Sequence, residues 1–328
     1  SGKENVYANN SHGSMVLSCI AGRINGQNIG LATGAEFLLA RTEQATGEPF
    51  SEEENWLAAA EWADQNGADI ISSSLGYTFN RYFQEQMDGK TSLVTRSANM
   101  AARKGMLVVN AAGNDGDSKW KFLGAPADAD SVLTVGGVSP TTGFHIGFSS
   151  FGPTADKRLK PNVIAYGSVI AASKKGLEHV FGTSFSTPLV SGFAACAWQM
   201  NRDMNNMQLF ELLEKSGHLY PYFDYANGYG IPQASYFTDS IKIRADTTFS
   251  FVKDGNILRV TVLKEYLDSI GTGYNLLYYH RENKRNYLDK YAVIDVYDEN
   301  PVEFNMDDFE KGEKVMVHFK NYTVEYVF

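Results

Sequence analysis

The stretch FGTSFSTPLVSGFAACAW, residues 181–198, begins with small and hydroxyl-bearing residues and continues as an apolar helix pattern. Ser184 would lie at the N-terminus of this helix, where unpaired backbone N–H groups and the helix dipole stabilise negative charge. An acyl-transfer serine needs such donors for its oxyanion and a base for its proton. Gly182 permits a tight turn before the helix, and Pro188 falls early in it. The alternative is that Ser184 only caps the helix.

The base for such a serine must be one of six histidines. His12 opens a glycine-flanked helix pattern, whereas the other five lie in turns, at helix ends or in the C-terminal strands. From the residues alone, each of these histidines can equally be structural. The pattern around the serine is not G-x-S-x-G, because position 186 is serine, and this argues against an α/β-hydrolase.

Helix and strand patterns alternate from about residue 11 to residue 235. Helices are predicted over SHGSMVLSCIAG with Ser11 as N-cap, over SEEENWLAAAEWADQNG with a capping box of Ser51 and Glu54, and over TSLVTRSANMAARKG. Strands are predicted at AEFLLAR, ADIISSSLG, MLVVNAAGN and SVLTVGGV. The alternation predicts an α/β fold with a parallel sheet covered by helices on both faces. His12 and Ser184 are both expected at the rim of this sheet.

After NGYGIPQASYF only strand patterns follow. The segment TTFSFVKDGNILRVTVL predicts a hairpin with Asp254-Gly255 at its turn, and four further strands are predicted at NLLYYH, YAVIDVY, EKVMVHF and YTVEYVF. We therefore predict two domains, residues 1–238 and residues 239–328, of which the second is a small all-β sandwich.

The chain has 328 residues, of which 43% are apolar and 20% charged, as in soluble globular proteins. Its 29 Lys and Arg against 38 Asp and Glu, without a basic tract, argue against a nucleic-acid partner. No apolar run is long enough for a membrane span, and SGKENVYANN lacks a signal-peptide pattern, so any export signal is expected to have been removed. Cys19 and Cys196 lie in apolar helix patterns, which favours free thiols. No metal or cofactor is predicted.

Three motifs resemble, in order, those of subtilisin-like serine proteases. HGSMVLSCIAG resembles the histidine motif of that family, NAAGN its oxyanion-hole segment and GTSFSTPLVSG its serine motif. SSSLG resembles the strand along the substrate cleft, and SVLTVGGV, FSSFGP and KPNVIAYG are further matches. The resemblance covers about residues 11–235 and implies a subtilisin-like fold.

By this resemblance Ser184 is the nucleophile and His12 is the general base that later protonates the leaving amine. Asn114 is then the side-chain donor to the oxyanion, beside the backbone N–H of Ser184; the alternative for Asn114 is a turn-holding residue. The resemblance also implies two walls along which a peptide substrate adds as a strand, formed by Ser74, Leu75, Gly76, Ala112 and Gly113.

Three residues depart from the family pattern and are expected to narrow the cleft, namely Tyr77, Phe185 and Ser186. The short connection RINGQNIGLA implies that the strong calcium loop of the family is absent.

In subtilisin-like proteases an aspartate completes a catalytic triad with the histidine and the serine. This aspartate is missing from the positions of the chain that match the family. The eleven residues before His12 contain no Asp, and their one acidic residue is Glu4. We expect that an upstream piece is absent rather than that the protein is degenerate, since the serine, histidine and asparagine are kept. The family's acid-bearing strand also lies inside the sheet, so its loss would expose the neighbouring strands. Glu43, just after a predicted strand, is the substitute acid to test first.

The expected function is a serine endopeptidase that forms an acyl-enzyme and is secreted, periplasmic or at the cell surface. Its expected partners are a peptide or protein substrate and its own cleaved N-terminal segment. The alternatives are a catalytically impaired pseudoprotease that acts as a binding or scaffold protein, and an esterase, since the same groups perform any acyl transfer.

Overall fold

The structure is a computed structural model that describes residues 10–44, 47–79, 81–238, 246–268, 273–297 and 300–328. The helices are α1 (His12–Ala21), α2 (Ser51–Gln65), α3 (Leu93–Arg103), α4 (Thr183–Met200), α5 (Asn206–Lys215) and α6 (Ser235–Thr238). The strands of the same part are β1 (Arg23–Ile24), β2 (Gln27–Asn28), β3 (Ile70–Ser73), β4 (Leu107–Ala111), β5 (Val132–Val138), β6 (Val163–Tyr166), β7 (Ser168–Ser173) and β8 (Gly176–Phe181).

Strands β3, β4, β5 and β6 form a parallel sheet in that order. Every residue of β4 and β5 is buried, as expected for parallel strands covered on both faces. On one face Val94 of α3 packs in the same cluster as Val108 of β4. On the other face Val190 of α4 packs in the same cluster as Val109. The arrangement confirms the predicted α/β fold with helices on both faces.

Two antiparallel ribbons lie outside this sheet. Asn25 and Gly26, both with positive φ, turn the chain between β1 and β2. In the second ribbon, Val169 of β7 pairs with Val180 of β8, and both pack around Cys19 of α1. This ribbon leads directly into α4 and therefore brings the start of α4 close to α1.

The C-terminal module contains β9 (Phe249–Asp254), β10 (Ile257–Val262), β11 (Leu276–Glu282), β12 (Leu288–Asp295), β13 (Val302–Asn305), β14 (Lys314–Phe319) and β15 (Tyr322–Val327). The strand orders are β13-β10-β9 in one antiparallel sheet and β12-β11-β14-β15 in the other. Leu258 and Val260 from the first sheet share one apolar core with Leu277 and Val315 from the second. Two antiparallel sheets around one core agree with the predicted sandwich, and the hairpin at Asp254-Gly255 is confirmed.

The two parts of the chain contact each other through an aromatic cluster. Tyr222 and Leu219 pack with Tyr278 of β11, and the Tyr222 ring stacks on His280 at a centroid distance of 5.0 Å. The domain boundary predicted after residue 238 lies next to residues 239–245, which are outside the described residues. The division of the chain at this point therefore stays a prediction.

The strand predicted at AEFLLAR is wrong, because residues 35–41 form neither strand nor helix. A strand needs a ladder partner, and among the described residues none pairs with this stretch. Phe37 and Leu38 are 40% and 44% exposed, and β3 lies at the end of the sheet with Ile70 and Ile71 only half-buried.

The side-chain caps predicted for two helices are also wrong. Ser11 precedes α1 but makes no capping hydrogen bond, and Ser51 is already the first residue of α2, so the predicted capping box does not form. The first turn of α2 is instead anchored by Glu53, which accepts hydrogen bonds from Arg81 Nη1 (2.7 Å) and the backbone N–H of Val94 (2.9 Å). A long-range ion pair thus replaces the local cap.

Cys19 and Cys196 are free thiols, as predicted. Burial raises the pKa of the Cys19 thiol to about 11, so it stays protonated at neutral pH. None of the helices in the described ranges is both long enough and apolar enough to cross a membrane.

Candidate active site

Ser184 is the second residue of α4 and follows a glycine turn from the end of β8. Gly182 has φ +137° and ψ 151°, a backbone conformation that side-chain-bearing residues rarely adopt. The N–H of Gly182 donates to the carbonyl of Gly167 (2.9 Å), which fixes the turn against the end of β6. Ser184 is half-buried, and its hydroxyl donates to the carbonyl of Ser74 at 3.5 Å.

Pro188 bears directly on the position of Ser184. A residue four places after Ser184 would normally donate its N–H to the Ser184 carbonyl, and proline has none. The Ser74 hydroxyl donates to that carbonyl instead, at 2.8 Å. Because proline leaves the Ser184 carbonyl without a helical donor, this carbonyl can accept from Ser74. The bond links the loop after β3 to the start of α4.

Asn114 lies beside the same turn, after β4. Its Oδ1 accepts hydrogen bonds from the backbone N–H and the hydroxyl of Thr183, each at 2.9 Å. These two bonds orient the carboxamide so that Nδ2 remains as a donor, and the side chain is exposed to solvent. A Cβ placed on Gly182 would lie 3.4 Å from Nδ2 of Asn114 and 3.7 Å from the backbone nitrogen of Ser184. Asn114 Oδ1 lies 3.8 Å from the same point, so the carboxamide of Asn114 and the backbone nitrogen of Ser184 both border Gly182.

His12 is the first residue of α1, and its ring packs edge-on against Phe185, with centroids 5.8 Å apart and planes at 69°. Since Phe185 directly follows Ser184, the structure places His12 and Ser184 in one region at the rim of the sheet. Partial burial lowers the pKa of His12, which keeps the imidazole neutral and able to accept a proton at neutral pH. Among the described hydrogen bonds, none joins the imidazole to Ser184 Oγ or to a carboxylate.

The two predicted substrate walls follow β3 and β4. Gly76 is exposed. The Leu75 carbonyl accepts a hydrogen bond from Asn110 Nδ2 at 3.0 Å, which fixes the backbone of Leu75. Gly113 has φ +113° and its carbonyl accepts from the Thr183 hydroxyl at 3.2 Å. Ala112 is fully buried with Leu123 in a small core cluster, so its side chain supports this wall from behind.

The expectation that Tyr77 narrows the cleft is wrong, because its side chain is 2% exposed. Its hydroxyl points to the predicted substitute acid and donates to Glu43 Oε1 at 3.1 Å. Burial and the neighbouring Glu52 raise the pKa of Glu43 to about 7. Glu43 is therefore bound to Tyr77, and no described contact joins it to His12.

Phe185 and Ser186 are buried too, so their bulk lies under the site rather than in the cleft. Phe185 packs with Cys19 and Ala171 and forms the surface on which the His12 ring rests. The expectation that these two residues narrow the cleft is wrong for the same reason as for Tyr77.

Two contacts of the site were not predicted from the sequence, namely that Thr183 orients Asn114 and that Ser74 donates to Ser184. A proline four residues after a helical serine was an available signal for the second, because it leaves that carbonyl unpaired. No local pattern indicates the first, since it joins residues 69 positions apart.

A model of the family Peptidase_S8, described as the subtilase family, matches residues 1–230. The chain belongs to the subtilase family. Subtilisin NAT of Bacillus subtilis subsp. natto is 31% identical over 211 residues, which are 63% of this chain and 50% of the relative. Subtilisin of Bacillus pumilus is 31% identical over 224 residues, 66% of this chain and 74% of the relative. The solved structure of Sphericase is similar with a TM-score of 0.56 and 28% identity, covering 69% of this subtilase and 78% of Sphericase.

This subtilase spans about half the length of Subtilisin NAT and of Subtilisin E from Bacillus subtilis (strain 168), each of which it covers to 50%. The family match ends at residue 230, so the C-terminal β module lies outside it.

Proposed function

We propose that this subtilase is a serine endopeptidase that acts on peptide or protein substrates outside the cytoplasm. The observation that carries the proposal is that the Asn114 carboxamide lies against the first turn of α4, where its Oδ1 accepts from the N–H and the hydroxyl of Thr183, next to Ser184. A carbonyl oxygen that gains negative charge there would receive two hydrogen bonds, which is the largest single contribution in acyl transfer.

In the proposed mechanism His12 takes the proton of Ser184 as Oγ attacks the scissile carbonyl carbon. The tetrahedral oxyanion is stabilised by Asn114 and the Ser184 N–H. His12 then gives its proton to the leaving amine, the C–N bond breaks, and the acyl group stays on Ser184 until water, activated by His12, releases it. Leu75, Gly76 and Gly113 would hold the substrate as an added strand.

The orienting acid of this mechanism is supplied by no described residue, since the imidazole of His12 has no carboxylate partner among them. Loss of the acid from a serine-protease triad lowers kcat by about 10⁴-fold, because the imidazole loses its tautomer and its counter-charge. Full activity therefore requires a carboxylate from outside the described residues. The same observation favours the second candidate function, a pseudoprotease that binds polypeptides without cleaving them.

The test is hydrolysis of fluorogenic peptide amides by the full chain and its variants. We expect hydrolysis by the unaltered chain and by S14A, an exposed serine-to-alanine control on α1, and loss of it in S184A and H12A. Equal rates for S184A and the unaltered chain would contradict the proposal. Turnover of esters but not of peptide amides would assign the chain to esterases, and binding of peptides without hydrolysis of either would favour the pseudoprotease.

A further inference from the structure

A cavity of about 550 Å³ lies between the subtilase part and the β module. The subtilase part contributes the rings of Phe122, Phe151 and Tyr225, and the β module contributes Tyr287 and Tyr291. The Tyr225 and Tyr291 rings meet edge to face at 6.3 Å, so the two sides of the cavity are in direct contact. Aromatic walls at a junction of two modules are the composition and position that binding sites prefer.

The backbone next to this cavity is hydrogen-bonded to the predicted substrate wall at Gly113. Ser150, next to Phe151, donates its N–H to the Gly113 carbonyl at 3.0 Å. Its hydroxyl accepts from the N–H of Asp115 at 3.1 Å, beside the oxyanion residue Asn114. Ser150 is fully buried, so a hydrogen-bonded backbone in the interior connects the cavity residue Phe151 to the candidate active site.

The β-module side of the cavity is an open strand edge. Strand β12 supplies Leu288, Asp289 and Tyr291 to the lining and is the end strand of its sheet. Within the described residues β12 pairs only with β11, so its other edge presents free backbone N–H and carbonyl groups. Such an edge takes an extended peptide as an additional strand, with side chains alternating into neighbouring pockets.

The charge of the lining is positive although the chain as a whole carries a formal charge of −9. Lys121 and Lys157 line the cavity against one acidic residue, Asp289, and neither lysine belongs to an ion pair among the described residues. The Lys121 ammonium group lies 5.5 Å from the centroid of the Phe151 ring. Both lysines have a positive φ, 65° and 69°, where asparagine or glycine is ordinarily found. Backbone strain of this kind is typical of functional positions.

We propose that this cavity is a substrate exosite that binds an acidic, extended polypeptide segment of the proteins cleaved at Ser184. The carboxylates of the segment pair with Lys121 and Lys157, its backbone adds to the free edge of β12, and its apolar side chains rest on the aromatic walls. The assignment of the bound protein as a substrate rests on the proposed function, whereas the binding itself does not.

Binding is measured on the full chain with S184A, so that no hydrolysis interferes. The probe is a fluorescently labelled six-residue peptide that alternates glutamate with tyrosine and leucine, followed by anisotropy. Its matched partner has glutamine at each glutamate. The variants are K121Q with K157Q in the cavity, D289N as the opposite charge change, and K174Q with K175Q in the exposed turn of the β7–β8 ribbon as the control.

We expect the acidic peptide to bind and the glutamine peptide to bind at least threefold more weakly. The cavity lysine variant should raise the Kd at least threefold, D289N should lower it, and the ribbon control should leave it unchanged. The expected changes are modest because Lys121 and Lys157 are exposed, and exposed ion pairs contribute little each. Binding should weaken as salt is raised. Equal Kd values for the two peptides, or for the cavity variant and the control, would overturn the proposal.

Two further arms separate this proposal from its competitors. Tetragalacturonate that binds more tightly than the acidic peptide, with the same dependence on Lys121 and Lys157, would make the cavity an acidic-saccharide site and overturn the assignment. If S184A binds the acidic peptide but the unaltered chain hydrolyses neither peptide amides nor esters, the proposed function is refuted while the exosite stands. With the active chain, an acidic extension on a peptide substrate should lower KM and leave kcat unchanged.

Discussion

At the scale of single residues, the chemistry of this subtilase depends on how Gly182 and Thr183 arrange the donors around Ser184. Thr183 occupies the Oδ1 of Asn114 with two hydrogen bonds, so the amide cannot turn its acceptor toward a substrate oxygen. Gly182 lies beside Asn114, with Nδ2 3.4 Å from the point where a Cβ would stand. In the proposed mechanism the Asn114 carboxamide would be oriented before substrate arrives, which is what stabilisation of an oxyanion requires.

Replacing Asn114 by alanine should lower kcat for peptide amides by about 10²–10³-fold, because one of two oxyanion donors is lost. KM should change little, since the donor is used mainly in the transition state. Steady-state kinetics of N114A beside N28A, an exposed asparagine in the β1–β2 ribbon, provide the comparison. A change in KM with kcat preserved would show that Asn114 only shapes the binding cleft.

At the scale of secondary-structure elements, Pro188 and Ser74 together attach α4 to the loop after β3. The proline removes a helical N–H, and the Ser74 hydroxyl takes its place on the Ser184 carbonyl at 2.8 Å. The same helix is also tied to β3 by the Ser191 hydroxyl, which donates to Ser72 Oγ at 2.8 Å. Two side-chain bonds thus set the height of Ser184 above the sheet.

This hydrogen-bond arrangement predicts that substitutions of Ser74 and Pro188 have coupled effects on the free energy of unfolding. S74A should lower the free energy of unfolding by about 1 kcal/mol, because it leaves a half-buried carbonyl without a donor. In a P188A background the new N–H can bond to that carbonyl, so S74A should then cost much less. Urea unfolding of the four proteins in this double-mutant cycle measures the coupling. Equal costs of S74A in both backgrounds would contradict the proposed exchange of donors.

The sequence predicted the elements whose pattern is local and missed those that depend on distant partners. The continuous apolar run of β5 and the Asp254-Gly255 turn are local signals, and both were predicted correctly. Residues 35–41 have an equally apolar pattern but form no strand, since pattern alone does not supply a pairing partner.

The candidate site shows the same division. Ser184, His12 and Asn114 were proposed because motif order marks them, and the contacts of Asn114 with Thr183 and of His12 with Phe185 could not be derived from spacing. The burial of Tyr77 against Glu43 had no sequence signal, because it depends on a contact between residues 34 positions apart.

At the scale of the whole molecule, three histidines meet where the β module contacts the subtilase part. The Tyr222 ring contacts His280 and His318, and the ring of His218 lies 6.5 Å from that of Tyr278. Burial lowers the pKa of His218 to about 4 and that of His318 to about 3, so both are neutral at neutral pH. The other charged or titratable groups at this contact are Asp224, which accepts from the Tyr222 hydroxyl at 3.1 Å, and Glu282, 3.2 Å from His280.

The lowered pKa values predict a loss of stability in acid. In the unfolded chain a histidine titrates near 6.5, so between that pH and about 4 the unfolded state binds protons that the folded state does not. Each pKa unit of difference is worth about 1.4 kcal/mol. Burial raises the pKa of Asp224, which acts in the opposite direction, so the measurement must be a difference between variants.

Urea unfolding from pH 7.5 to 4.5 should therefore show a shallower loss of stability for H318Q than for the unaltered chain. H179Q, at an exposed histidine of the β7–β8 ribbon, should follow the unaltered chain. Parallel pH curves for H318Q and the unaltered chain would contradict the role assigned to this contact.

The central claim is that Ser184 is a nucleophile activated by His12 beside a formed oxyanion site. Its most direct test is reaction of the folded full chain with a fluorophosphonate, followed by mass spectrometry of the digested protein. The account predicts one adduct, on Ser184, that forms more slowly in H12A and is absent from the heat-unfolded chain. An adduct on another serine, or an unmodified Ser184 in a chain that hydrolyses peptides, would contradict it.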